Sequence, residues 1–285
     1  MADNGGYAKP ETLVTTDWVA EHVDDPHVVL AEVNEDPSLY DDGHMPGATA
    51  LHWKDELQQQ VVRDVIDQAE FERLLGSKGI ANDTTVVLYG DKNNWFAAYA
   101  YWYLKLYGHE DVRIMDGGRQ KWIDEDRPLT TDAPGRAPKT YHAKPQDHSI
   151  RAWRDDILAI LDSRSDVLVD VRSPQEYSGE LIAMPGYQQE GAQRGGHVPG
   201  AASIPWAQAV REDGTFKSAE ELHALYSGKG VDGSKPITAY CRIGERSSHS
   251  WFVLRELLGH QHVRNYDGSW TEWGNMVDVP IEKGA

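Results

Sequence analysis

Short apolar runs alternate along this chain with longer segments in which apolar residues recur at helical spacing. The strand-like runs include VVLAEV at 28–33 and VLVDV at 167–171, and amphipathic segments cover 95–107 and 153–161. Short buried strands separated by helices are typical of a parallel sheet with helices on both faces. The pattern therefore predicts an α/β fold. SAEE at 218–221 matches a capping box, which predicts that a helix begins there.

The two halves of the chain share motifs that recur about 150 residues apart. GHMPGA at 43–48 returns as GHVPGA at 196–201, and MDGGRQKW at 115–122 returns as YDGSWTEW at 266–273. This period is far longer than that of a solenoid repeat. Each copy is therefore interpreted as a whole domain.

The segment between the copies, RPLTTDAPGRAPKTYHAKPQ, is rich in Pro, Thr and Ala and lacks periodic apolar residues. Such a composition is typical of an extended linker. We therefore expect two similar domains at 11–128 and 151–285, joined by a linker at 129–150.

Cys241 is the only cysteine among 285 residues, and it stands between a short apolar run and Gly244. Apolar residues recur at helical spacing over 251–258, so the thiol is predicted to end a strand before a tight loop and a helix that begins near Ser247. The first half has VLYGDKN where the second has TAYCRIG, which places Asp91 approximately where a cysteine would lie. We therefore expect chemistry in the second domain only.

The loop around Cys241 has features that favour a thiolate. Arg242 and Arg246 flank the turn, and the N-terminus of the following helix would direct N–H groups at the sulfur. Gly244 allows successive amides to converge into a nest for negative charge. A lone cysteine is more often a small buried hydrophobe. Two arginines and a glycine beside this one favour a functional thiol in a locally basic pocket.

Several motifs together resemble the two-domain rhodanese family of sulfurtransferases: DVRSPQEYSG at 170–179, GHVPGA, CRIGERSSH at 241–249 and YDGSWTEW. The resemblance covers nearly the whole chain. It implies a rhodanese-like α/β fold for each domain, an inactive N-terminal copy and a C-terminal cysteine that carries a persulfide. Thiosulfate is the usual sulfur donor, and cyanide or another thiophile accepts the sulfur. No metal or organic cofactor is expected.

The resemblance also implies roles for single residues. Arg242 is expected to bind the sulfonate end of thiosulfate and to lower the pKa of the thiol. Arg246 either contacts the substrate too or pairs with an acid, for which Asp170 and Glu176 are the candidates. The loop amides from Arg242 to Ser247, including that of Gly244, are expected to hold the persulfide.

The chain departs from the mitochondrial thiosulfate enzymes at two positions. Those enzymes have a lysine where this chain has Ile243, and an arginine where it has Glu176. Two cationic contacts to thiosulfate are thus missing, and Arg194, just before GHVPGA, is a candidate to compensate. Relatives that use 3-mercaptopyruvate have a CGSGVT loop, with a small uncharged residue after the cysteine. Arg242 at that position therefore favours thiosulfate as the donor over 3-mercaptopyruvate.

Two further functions compete with a small-molecule sulfurtransferase. Phosphatases of related fold need a C-x5-R loop, whereas Cys241 and Arg246 form a shorter C-x4-R loop that fits a sulfur atom better than a phosphoryl group. A sulfur-relay protein that delivers persulfide sulfur to a protein partner needs the same loop as the enzyme. That alternative stays open.

Acidic residues number 46 against 28 basic ones, which gives a formal charge of −18. Such a field opposes binding to nucleic acid or to an anionic membrane. No apolar run is long enough to span a membrane, and the start MADNGGYAKP lacks the features of a signal peptide, so we expect a cytoplasmic protein. The single cysteine excludes an internal disulfide.

The acidic surface predicts a halophilic protein, with an ordinary acidic protein as the alternative. Self-repulsion among excess carboxylates destabilises the compact state, and salt screens it. We therefore expect the free energy of unfolding to rise steeply from low to molar KCl, measured by denaturant titration at each salt concentration. A free energy of unfolding that does not change with KCl would contradict a halophilic origin.

Overall fold

The chain forms two compact units in a computed structural model that describes residues 5–187 and 191–284. One unit contains Pro10–Asp147 and also Val210–Phe216. The other contains His148–Ala209, the chain from Lys217 onward and the N-terminal residues up to Lys9. Each unit thus takes in one segment from outside its own half of the sequence. The limits expected at 11–128, 129–150 and 151–285 stay a prediction.

The first unit is a five-stranded parallel sheet flanked by helices, with strand order β1-β5-β4-β2-β3. Its strands are β1 (Leu13–Val14), β2 (Val28–Glu32), β3 (Thr49–Ala50), β4 (Thr85–Tyr89) and β5 (Val112–Met115). Its helices are α1 (Thr16–His22), α2 (Ser38–Asp42), α3 (Gln68–Ser77), α4 (Trp95–Leu106) and α5 (Gly118–Asp124).

The second unit repeats this arrangement, with strand order β6-β10-β9-β7-β8. Its strands are β6 (Arg151–Ala152), β7 (Val167–Asp170), β8 (Ala202–Ser203), β9 (Ile237–Tyr240) and β10 (Val263–Tyr266). Its helices are α6 (Arg154–Ser163), α7 (Pro174–Ser178), α8 (Ala219–Ser227), α9 (Glu245–Phe252), which continues as a π-helical turn over Val253–Leu257, and α10 (Ser269–Trp273). The predicted α/β architecture with two parallel sheets is confirmed.

Helix starts follow the local sequence. The capping box predicted at 218–221 is confirmed, because the Ser218 side chain accepts from the Glu221 amide and the Glu221 side chain accepts from the Ser218 amide. Helix α9 begins at Glu245, two residues before the predicted start, because Gly244 adopts a left-handed conformation with φ 97° and serves as its N-cap.

The central helix of the first unit differs from its prediction. The segment 95–107 is predicted to be amphipathic, yet every residue of α4 except Lys105 is buried. The helix lies inside the unit, so its tyrosine hydroxyls turn inward and find acceptors such as the carbonyl of Leu57 for Tyr103. In the described ranges, no helix is long and apolar enough to cross a membrane.

The two sheets place equivalent residues at the ends of their central strands. Tyr89 ends β4 and Tyr240 ends β9, and each hydroxyl accepts a hydrogen bond from a backbone amide near the repeated GH-x-PGA turn. Gly90, the residue directly after Tyr89, therefore corresponds to Cys241. Asp91, which was expected approximately at this position, lies one residue after it.

Gly90 has no room for a side chain. A Cβ atom built on it would lie 2.1 Å from the carbonyl oxygen of Val33. The first unit therefore excludes a thiol at the position where the second carries one.

A cysteine placed at this position should destabilise the first unit. We expect Gly90→Cys to lower the free energy of unfolding by at least about 2 kcal/mol, because backbone atoms must move to admit the side chain. Denaturant unfolding measures the loss, and Ser77→Cys on the exposed face of α3 is the control for an added thiol. A Gly90→Cys variant as stable as that control would contradict the steric argument.

Candidate active site

The thiol of Cys241 lies in a tight loop between β9 and α9. The Gly244 amide donates a hydrogen bond to Sγ over 3.2 Å. Gly244 is required twice here, since its φ is 97° and a Cβ atom would lie 2.7 Å from Cα of Asp267. The loop thus curls around the sulfur and directs an N–H group at it, as the sequence suggested.

The turn between β10 and α10 binds the backbone of this loop at Cys241. The hydroxyl of Ser269 accepts a hydrogen bond from the Cys241 amide at 3.0 Å and donates to the carbonyl of Tyr266 at 2.6 Å. The Cys241 carbonyl in turn accepts from the Trp270 amide. Ser269 holds a left-handed φ of 51° to make these contacts. Sequence reasoning missed Ser269, although it lies in the repeated motif that ends in tryptophan.

A buried asparagine ties the loop to the sheet. The side-chain amide of Asn265 donates to the Gly244 carbonyl at 3.0 Å and to the Ser248 hydroxyl at 2.8 Å. Its oxygen accepts from the Ser247 hydroxyl at 2.6 Å. The Ser247 hydroxyl thus ties the start of α9 to β10, and both the side chain and the backbone of Ser247 also interact with Cys241.

Of the two candidate acids for Arg246, the structure pairs it with Glu176. The guanidinium and carboxylate form two hydrogen bonds, at 3.0 and 3.1 Å, between side chains that are almost fully buried. Arg246, with hydrogen bonds from Ser173, outweighs the desolvation of the carboxylate and lowers the pKa of Glu176 to about 2. Both groups are therefore charged at neutral pH.

Asp170 pairs instead with Arg172, which sequence reasoning missed. The Arg172 guanidinium bonds to the Asp170 carboxylate at 2.6 Å and to the carbonyl of Gly196 at 2.6 Å. It lies 4.4 Å from the ring centre of Trp270, a distance typical of a cation–π contact. Asp170 thus supports the sheet end and the GHVPGA turn.

Arg242 forms an ion pair with Glu245, an acid that sequence reasoning missed. Nη2 of Arg242 lies 2.9 Å from Oε1 of Glu245, and its guanidinium lies 4.5 Å from the ring centre of Tyr187. The other carboxylate oxygen, Oε2, lies 3.3 Å from Sγ of Cys241. The signal in the sequence was proximity, because Glu245 directly follows the glycine whose amide points at the sulfur.

The surroundings of Cys241 raise the pKa of its thiol. Burial is the largest cause, and the nearby charge of Glu245 acts in the same direction. Arg246 and the hydrogen-bonding groups of Ser247 favour the thiolate but do not prevail. The expectation of a lowered thiol pKa is therefore wrong. The thiol is nevertheless not in an apolar interior, since an amide and charged groups surround it.

The pocket around the thiol, which was expected to be locally basic, is balanced in charge. The two arginines of the loop, Arg242 and Arg246, each pair with a buried carboxylate, from Glu245 and Glu176 respectively. Glu176 belongs to α7, so its ion pair with Arg246 of α9 forms only in the folded structure.

Arg194 does not join these groups in the contacts described for it. Its guanidinium donates to main-chain carbonyls of the C-terminal segment, those of Trp273, Gly274, Met276 and Val279. The arginine therefore anchors that segment. Its expected role as a compensating cation at the thiol gains no support from this position.

The chain matches a known family over both halves. The model of the Rhodanese-like domain matches residues 15–125 and 154–276. The chain is also similar to the "Sulfur carrier protein TtuD" of Thermus thermophilus, with 61% identity over 98% of this chain and 99% of that protein. A protein of Mycolicibacterium smegmatis named "Putative thiosulfate sulfurtransferase" is 55% identical over 98% of this chain and 100% of its own length.

A solved structure agrees with these matches. The anaerobic ergothioneine biosynthesis enzyme from Chlorobium limicola, in complex with its natural substrate trimethyl histidine, superposes with a TM-score of 0.86 at 25% identity. The similarity covers 98% of this chain and 72% of that one. Two parallel-sheet units, a cysteine loop at the end of a central strand and matches across both halves lead to one conclusion: the chain belongs to the rhodanese-like family of sulfurtransferases.

Proposed function

We propose that this protein moves sulfane sulfur from thiosulfate to cyanide or another thiophilic acceptor through a persulfide on Cys241. One observation carries the proposal: the Gly244 amide donates to Sγ over 3.2 Å inside a buried polar loop. An amide in that position favours negative charge on the sulfur and on a second sulfur attached to it. Nucleophilic catalysis in two half-reactions requires a reactive thiol and groups that stabilise negative charge on the sulfur.

The half-reactions balance in atoms and charge. The Cys241 thiolate attacks the outer sulfur of thiosulfate, the S–S bond of the donor breaks, and sulfite leaves with the bonding electrons. The protein then holds Cys241 persulfide as the anion. Cyanide attacks the terminal sulfur, thiocyanate forms, and the Cys241 thiolate returns.

The charge balance of the loop bears on the donor. Thiosulfate is a dianion, and the positions where mitochondrial enzymes have a lysine and an arginine hold Ile243 and Glu176 here. Glu176 also neutralises Arg246. We therefore expect weaker thiosulfate binding than in those enzymes. The name of the mycobacterial relative supports thiosulfate as the donor.

A second function, sulfur relay to a protein partner, is favoured by the relative from Thermus thermophilus, whose name describes a sulfur carrier. A charge-balanced loop suits this role, because a persulfide can then pass between cysteines without a strong cationic site for an inorganic anion.

Intact-protein mass spectrometry after treatment with thiosulfate tests the persulfide. We expect a mass gain of one sulfur atom in the wild type, its absence in Cys241→Ser, and its loss on addition of cyanide with formation of thiocyanate. A gain that persists in Cys241→Ser would contradict the proposal. Faster thiocyanate formation with 3-mercaptopyruvate than with thiosulfate would reassign the donor.

Discharge of radiolabelled persulfide tests the relay. The loaded protein is mixed with cyanide, or with cell extract that has been filtered to remove small molecules, and the label is followed over time. Transfer to a single extract protein faster than to cyanide is expected for a relay. Label that leaves the protein only when cyanide or a small thiol is present would exclude it.

A further inference from the structure

Glu245 places a carboxylate oxygen against the reactive sulfur. Oε2 of Glu245 lies 3.3 Å from Sγ of Cys241, within hydrogen-bonding distance for sulfur. The carboxylate is 1% exposed and the cysteine is fully buried, so water does not compete at this contact. We infer that Glu245 is the catalytic base that accepts the proton of the Cys241 thiol when the sulfur donor binds. This inference rests on the proposed persulfide mechanism.

The carboxylate is held in the orientation that this role requires. Arg242 donates to Oε1 at 2.9 Å, and its guanidinium is itself stacked on the ring of Tyr187. Oε1 is thereby fixed away from the sulfur, and Oε2 faces it. Because Glu245 is the first residue of α9, the turn that shapes the loop also sets its distance from Cys241.

Among the described contacts around the sulfur, the other acids are not placed to accept the thiol proton. Glu176 lies beyond Arg246 and binds both its guanidinium and the start of α7. Asp267, which packs against Gly244, is paired with Arg151. Glu245 is the acid that touches Sγ among the described contacts.

A base is needed because the resting thiol is protonated. Burial and the Glu245 charge raise the pKa of Cys241, yet the thiolate is the nucleophile. Transfer of the proton to the Glu245 carboxylate creates the nucleophile. It also moves the negative charge from the carboxylate to the attacking sulfur, so the thiolate does not lie beside a second anion.

The step conserves atoms and charge. The S–H bond of Cys241 breaks, an O–H bond forms on Oε2 of Glu245, and the sulfur keeps the electron pair with which it attacks the donor. The neutral carboxylic acid then donates a hydrogen bond to the persulfide anion or gives its proton to departing sulfite. When sulfite takes the proton, the carboxylate is restored.

The test compares Glu245→Gln, which keeps an acceptor for Arg242 but cannot take a proton, with Glu245→Asp and with the surface control Glu220→Gln. Two rates are measured for each protein: alkylation of Cys241 by iodoacetamide against pH, and release of sulfite from thiosulfate in a single turnover at pH 7. Circular dichroism and thermal unfolding verify that each variant is folded.

The two measurements should move in opposite directions for Glu245→Gln. Removal of the neighbouring negative charge lowers the thiol pKa, so the midpoint of the alkylation profile shifts to lower pH. Burial still keeps the thiol largely protonated at pH 7, and the variant has no carboxylate to take that proton, so sulfite release slows on the order of 100-fold. Glu245→Asp keeps a carboxylate and should recover part of the rate, and Glu220→Gln should match the wild type.

A Glu245→Gln variant that releases sulfite at least as fast as the wild type would overturn the inference. Formation of the persulfide in that variant would still support the proposed function. The same holds if Glu245→Asp is no faster than Glu245→Gln. If the wild type itself releases no sulfite, thiosulfate is not the donor. The comparison is then repeated with glutathione persulfide and the release of glutathione, where the same ratios support or overturn the role of Glu245.

Discussion

The balance of buried charge around the sulfur of Cys241 constrains the loop between β9 and α9. Arg246 and Arg242 would favour a permanent thiolate if they acted alone, but each is paired with a buried carboxylate. Breaking a buried ion pair by removing one partner costs about 3–5 kcal/mol, so the four side chains hold each other in place. The consequence is a neutral resting thiol in a polar, water-poor site whose charge can be redistributed by moving a single proton.

The two units build the same support from different residues. In the first unit Arg119 pairs with Glu32 and bonds to the carbonyl of Gly43 in its GH-x-PGA turn. In the second unit Arg172 makes the equivalent contacts with Asp170 and Gly196, from a position in another part of the sequence. The two units therefore share this contact but not the residue that makes it. Trp270 occupies the position in the second motif that Arg119 occupies in the first, and its ring stacks on Arg172.

Local signals predicted local structure well. The strand runs, the capping box at Ser218 and the glycine turn after Cys241 depend on residues close in sequence, and the structure has them where expected or within two residues. The site chemistry was predicted less well. Glu245 was visible in the motif but had no assigned partner, and the expected lowering of the thiol pKa counted the cations without the anions that neutralise them.

The sequence alone determined the α/β architecture, the duplication and the position of the single cysteine, because these follow from periodicity, repeated motifs and composition. Tertiary structure decided which acid meets which arginine, and hence the charge at the sulfur. Electrostatic effects depend on distance and burial in three dimensions, and Glu176 reaches Arg246 across 70 residues of chain. Likewise, the carbonyl of Val33 leaves Gly90 no room for a thiol only after two strands have paired.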